Sequence, residues 1–127
     1  MRDDQVRRYA RHILLPDVGG LGQTALLTAH ARIALREREP QAELIAATYL
    51  AAGGVGAITV DGASPAQLAE LAAVNPDARV ASTGDGREVA LQPQPAWWPG
   101  ADGDALAVAH WRGGLAALRW MAAIANA

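Results

Sequence analysis

Three histidines, two serines and thirteen carboxylates are the side chains of this 127-residue chain that could move a proton or attack a carbonyl. Their spacing argues against both jobs. His12, His30 and His110 lie far apart, share no metal-ligand spacing and have no acid or nucleophile beside them, so each reads as a surface or helix-end residue. Ser64, Ser82 and the threonines lack the strained strand-to-helix turn of a nucleophile elbow. Cysteine is absent, which excludes disulfides, thioesters, thiolate nucleophiles and Cys-ligated zinc. All eleven basic residues are arginine, so a Schiff base and a Walker-type phosphate lysine are excluded as well.

What remains is recognition rather than reaction. Asp61 closes the run AITV, where an acidic residue commonly bonds a ribose hydroxyl in nucleotide-binding α/β folds; the plainer reading is an Asp-Gly turn. Gly19, Gly20 and Gly22 imitate a dinucleotide loop, but they follow a helix and a proline instead of a strand, so the context fails. Trp97 and Trp98 sit in a proline-rich loop, and exposed tryptophans favour a protein interface. Residues 1–38 carry seven Arg against four acids and residues 39–127 four Arg against nine. That basic head hints at an anionic partner without the density of a nucleic-acid patch.

These residues must be positioned by a small domain. Of the 51% hydrophobic residues, 30 are alanines, which predicts a thin, tightly packed core. Residues 3–13 have apolar positions at helical spacing and stop at Pro16. A glycine-rich turn leads into a short helix, Gln23 to His30, and Ile33 and Leu35 mark a first strand within 31–36. Pro40 opens a helix through QAELIAATYLAA, ended by Gly53 and Gly54, and AITV is the next strand. Ser64 and Pro65 start the helix PAQLAELAAV, which ends at Asn75-Pro76. RVAS, REVALQ and ALAVA read as short strands and HWRGGLAALRWMAAIA as the last helix, with Trp111, Leu115, Leu118 and Ala122 as its core stripe. Strands alternating with helices indicate a mostly parallel α/β sheet. No signal peptide or membrane span is read; Ala105 to Ala127 is broken by Arg112, Arg119 and a glycine pair. The expected setting is cytoplasmic.

Three segments together resemble the adenylyltransferases that activate sulfur-carrier and ubiquitin-like proteins, the ThiF/MoeB/HesA family. They are RYARHILLPDVGGLGQTALLTAHARI (8–33), YLAAGGVGAITVDG (49–62) and LAELAAVNPDARV (68–80). More weakly, GGLAALRWMAAI resembles a late helix of the same domain. The resemblance implies a truncated Rossmann-like domain spanning 1–127, with a helical arm over 1–30 and a reduced α/β core over 31–127. It also implies roles by position: Arg11 matches an arginine that reaches a partner subunit's ATP phosphates, and Asp61 falls on the nucleotide side.

The family's phosphate loop, however, is replaced by Arg36, Glu37, Arg38, Glu39 and Pro40, which bring two carboxylates, no glycine and one missing N–H donor. The nucleotide-facing Asn, Arg and Lys have no counterpart, nor do the magnesium-binding Asp, the catalytic Cys and the CxxC zinc site. The expectation is a non-catalytic dimerisation or partner subunit with no catalytic residues, cofactor or metal. It would pair with itself or with a full-length adenylyltransferase relative. The lost elements are expected to leave apolar residues uncovered and sheet surface or a strand edge exposed, which association covers. Two alternatives stay open: a divergent adenylyltransferase using ATP and Mg, and a module docking a small ubiquitin-like or sulfur-carrier protein.

Overall fold

The computed structural model describes residues 1–9, 19–93, 96 and 105–126. The elements run α1 (Asp3–Arg8), α2 (Gly19–Thr28), β1 (His30–Ala34), α3 (Gln41–Ala52), β2 (Ala57–Asp61), α4 (Pro65–Val74), β3 (Arg79–Ala81), β4 (Arg87–Glu88) and α5 (Ala105–Ala125). The four strands form one sheet in the order β3-β2-β1-β4, and every pairing is parallel. A mixed α/β domain with a parallel sheet is therefore what the chain folds into. Its order is the 3-2-1-4 portion of a Rossmann sheet.

Local signals account for several boundaries. Ser64 caps α4 reciprocally: its Oγ accepts from the Gln67 N–H at 3.2 Å, while Gln67 Oε1 accepts from the Ser64 N–H at 2.9 Å. Pro40 is the N-cap of α3, which begins at Gln41, one residue after the expected start. Elsewhere the elements differ from the expectation. Helix α2 begins at Gly19, not Gln23, and gives His30 to β1; Gly22, Gln23 and Leu26 are its buried residues. REVALQ keeps only Arg87–Glu88 as strand, followed by one further ladder bond from the Val89 N–H to Arg32 O at 2.8 Å.

ALAVA is not a strand. Alanine and leucine are strong helix formers, and the segment forms the first turns of the 21-residue α5. The buried stripe of α5 is also not the expected one: Ala109, Gly113, Ala116, Ala117 and Trp120 face inward, while Leu118 is 57% exposed and Trp111 and Leu115 are only half-buried. The reason is Gly113. A Cβ there would collide with the backbone carbonyl of Ala42, so α5 lies directly on the backbone of α3 and turns its smallest residues toward that contact.

The core lies on one face of the sheet. Ala31, Ile33, Ile58 and Val60 meet Leu50 of α3, Leu71 of α4 and Trp120 of α5. The alternate strand positions point to the other face, and they are polar or alanine: His30, Arg32 and Ala34 on β1, Ala57, Thr59 and Asp61 on β2, Arg79 and Ala81 on β3 and Glu88 on β4. Residues 82–86 are the whole connection from β3 to β4. It must cross three strand spacings, about 14 Å, and five residues with their flanking links reach roughly 20 Å. No room is left for a crossover helix. The segment lies on the polar face, with the Thr59 hydroxyl donating to Asp85 O at 2.8 Å. Among the described residues no helix lies on this face, which carries charge rather than the large apolar side chains expected, and β3 and β4 are the edge strands.

Candidate functional site

In a Rossmann-type sheet, ligands enter at the carboxyl ends of the strands where the order reverses, which here lies between β1 and β4. The loop from β1 to α3 occupies that place. Its Leu35 N–H bonds Asp61 O at 2.9 Å, carrying the chain over β2 before it turns toward Pro40. The next two donors, the N–H groups of Arg36 and Glu37, point to the Glu43 carboxylate at 2.8 and 3.2 Å. Glu43 is 3% exposed and stands in the first turn of α3.

The helix start explains this arrangement. Glu43 is at N3, where a capping-box glutamate turns back to the N–H of the N-cap residue. The N-cap is Pro40, which has no N–H, so the carboxylate reaches further back into the loop. The donors of the loop, at the N-terminal end of a helix where a phosphate would be held, are met by the chain's own anion.

The surrounding groups are likewise paired internally. Arg112 of α5 grips Glu37 with both terminal nitrogens, at 2.8 and 3.2 Å, while its Nε donates to Gln92 O at 2.8 Å. Asp61, the residue singled out for a ribose, accepts from Arg32 Nε at 2.7 Å. With side chains 48% and 27% exposed, that surface pair stabilises the fold little, but it engages the carboxylate. Two recesses of about 200 and 210 Å³ open beside these groups, and one of about 410 Å³ lies between the loop and α5.

At the opposite end of the sheet a second polar hub holds the N-terminal arm. Asn75, 1% exposed, donates from Nδ2 to the Tyr9 hydroxyl at 2.6 Å and to Ala51 O at 3.0 Å, and its Oδ1 accepts from Arg8 at 2.8 Å and from the Asp77 N–H at 3.0 Å. Asp77 accepts from Arg2 at 2.9 Å and from Arg8 at 2.7 Å. The hydrogen bond from Arg2 holds the Asp77 carboxyl below its usual range, against a smaller opposing effect of burial, and the Arg2 guanidinium is raised in turn. The Asn-Pro step therefore fastens α1, whose six residues bury nothing themselves.

Of the residues singled out from the sequence, Asp61 is placed at the carboxyl edge beside Arg32. Arg11, Trp97 and Trp98 lie outside the described residues. Glu43, Arg112 and Asn75 were not singled out. The available signal for Glu43 was an acid in the first turn of a helix begun by proline; for Arg112 and Asn75 the partners are remote in sequence and gave none. Among the described residues no group of three or more His, Asp or Glu could hold a metal ion, and no helix is long and apolar enough to cross a membrane.

Strand order, parallel pairing and a loop at the reversal point define a small Rossmann-like α/β domain. Compared with known proteins, the chain matches no family model and no curated protein.

Proposed function

We propose that the chain is a degenerate domain of the ThiF/MoeB type that works by association, as a homodimer or as the non-catalytic partner of a full-length adenylyltransferase relative in the cytoplasm. The observation that carries this reading is the Glu43 carboxylate on the N–H groups of Arg36 and Glu37. A triphosphate would have to displace a buried, charge-assisted contact and then face Glu37 and Glu39, with no lysine in the chain to offset them. Association would use the helical side. The outward positions Ile45, Thr48, Tyr49 and Ala52 of α3 carry no charge, and Leu118 and Leu106 of α5 and Leu21 of α2 are 57%, 58% and 91% exposed.

The test pairs two measurements. Thermal shift with millimolar Mg-ATP should show no saturable stabilisation and pyrophosphate exchange should be absent, since any ligand of the native state raises apparent stability. Light scattering should show a dimer, or a complex with a full-length relative. Saturable stabilisation by Mg-ATP would instead favour a divergent adenylyltransferase. A stable monomer that binds only a small ubiquitin-like protein, without ATP, would favour the docking alternative.

A further inference from the structure

Among the described residues, part of the polar face of the sheet lies outside the internal pairs described above. By register, His30, Ala57 and Arg79 form a row across β1, β2 and β3. The two long side chains are walls and Ala57 is the floor between them. Thr59, Thr83 and Gly84 lie at one end of a trough of about 280 Å³ that opens to solvent. Gly84 (φ +144°) lies directly over the Thr59 hydroxyl and Gly86 (φ +137°) against the backbone of Ala31, so the connection hugs the sheet as no residue with a side chain could.

The chemistry of the two walls is fixed by their contacts. The Thr59 hydroxyl has one proton, and it is used on Asp85 O at 2.8 Å. The contact of 2.8 Å between His30 Nε2 and Thr59 Oγ must therefore run from Nε2–H to the hydroxyl oxygen. An imidazole that donates from Nε2 has Nδ1 as the only ring nitrogen left to accept. Across the row, the Arg79 guanidinium makes no ion pair and no side-chain hydrogen bond among the described residues, unlike Arg2, Arg8, Arg32, Arg112 and Arg119. The trough thus offers an acceptor on one wall, a planar cation on the other and a small-residue floor.

We propose that the trough between His30 and Arg79 binds a small organic carboxylate that also carries a hydrogen-bond donor, a hydroxy- or aminocarboxylic acid. The guanidinium takes the carboxylate, for which its fork is matched, and Nδ1 takes the donor. A single cation suits a monoanion better than a phosphate. The volume is below that of a typical cofactor pocket, roughly 300–1,000 Å³, so the ligand is fragment-sized and not a nucleotide. The site lies at the amino half of the strands, away from the loop occupied by Glu43, and does not depend on the associative role.

The test is a titration of the wild-type chain with 3-hydroxybenzoate, followed by amide chemical shifts. Saturable shifts are expected at Ala57–Thr59 and Arg79–Gly84. Benzoate, without the donor, and 3-hydroxybenzyl alcohol, without the carboxylate, should each bind more weakly. Arg79→Gln should weaken 3-hydroxybenzoate about tenfold or more, since it removes a charged hydrogen bond at an exposed position that does not build the core. Arg87→Gln, on β4 outside the trough, should leave binding unchanged. Absence of saturable shifts, shifts on another face, or equal effects of Arg79→Gln and Arg87→Gln would each overturn the assignment.

Discussion

Two buried polar residues act as hubs at opposite ends of the sheet, and they hold the chain together differently. Glu43 bonds backbone N–H groups six and seven residues before it, so its contact is local and closes a loop. Asn75 bonds a hydroxyl, a guanidinium and a carbonyl from segments up to 67 residues away, so its contact fastens an otherwise unburied arm. The first uses a charge to satisfy main-chain donors that lack other partners; the second uses a neutral amide that can donate and accept at once. Filling the carboxyl-end loop from within engages two main-chain donors, whereas filling the amino end creates an attachment.

The contrast is broken most severely by Glu43→Ala. It leaves two backbone donors without their anion in a nearly closed site, and a loss of about 2–4 kcal/mol in urea unfolding is expected. Glu43→Gln sharpens the cause: one oxygen still accepts, but the amide nitrogen faces a donor, so most of that loss should remain.

Asn75→Leu is expected to cost about 2–3 kcal/mol. It should also raise hydrogen exchange over residues 3–9 selectively, which Glu43→Ala should not do.

Tyr9→Phe keeps the buried ring and removes only its bond to Asn75, whose Nδ2 retains Ala51 O; about 1 kcal/mol is the expected loss. A loss as large as that of Asn75→Leu would show that the bond between Asn75 and the Tyr9 hydroxyl carries the whole fastening and the other contacts of Asn75 little.

Asp77 adds a pH dependence to the arm alone. Its carboxyl is held low in the fold, so its contribution is present above the unfolded value near 3.9 and is lost as pH falls through the folded value. Exchange protection of residues 3–9 should fall below about pH 4. Asp77→Asn should remove that dependence and leave the Glu43 loop unaffected.

The smallest effect is expected for Arg32→Ala. It breaks the exposed pair with Asp61, and thermal unfolding should change by no more than about 0.5 kcal/mol.

How much of this was legible follows from where each signal lies. The class of fold, strand β2, the Ser64 cap and the Pro40 start are set by short-range chemistry and could be read directly. The burial stripe of α5 could not, because it depends on Gly113 meeting a carbonyl of another helix. ALAVA was misread because five apolar residues fit a buried strand or a helix equally well until length decides. At the candidate site, the charges of Glu37 and Glu39 and the missing N–H of Pro40 were plain, but the carboxylate that fills the loop was not. Its partners are main-chain groups, which every residue carries and no sequence pattern distinguishes.

The short connection from β3 to β4 has a consequence for how the chain assembles. Strand β4 must pair with β1 across positions as distant as 31 and 87, while β1 and β2 join through α3 over half that span. Loop-closure entropy favours the nearer pairing first, so the transition state for folding is expected to contain β1, α3 and β2 with β4 still detached. Substitutions at Ile58 or Leu50 should then slow folding, whereas Val89→Ala should chiefly speed unfolding. The five residues that cross the polar face would be among the last to settle, laid down over a sheet already built.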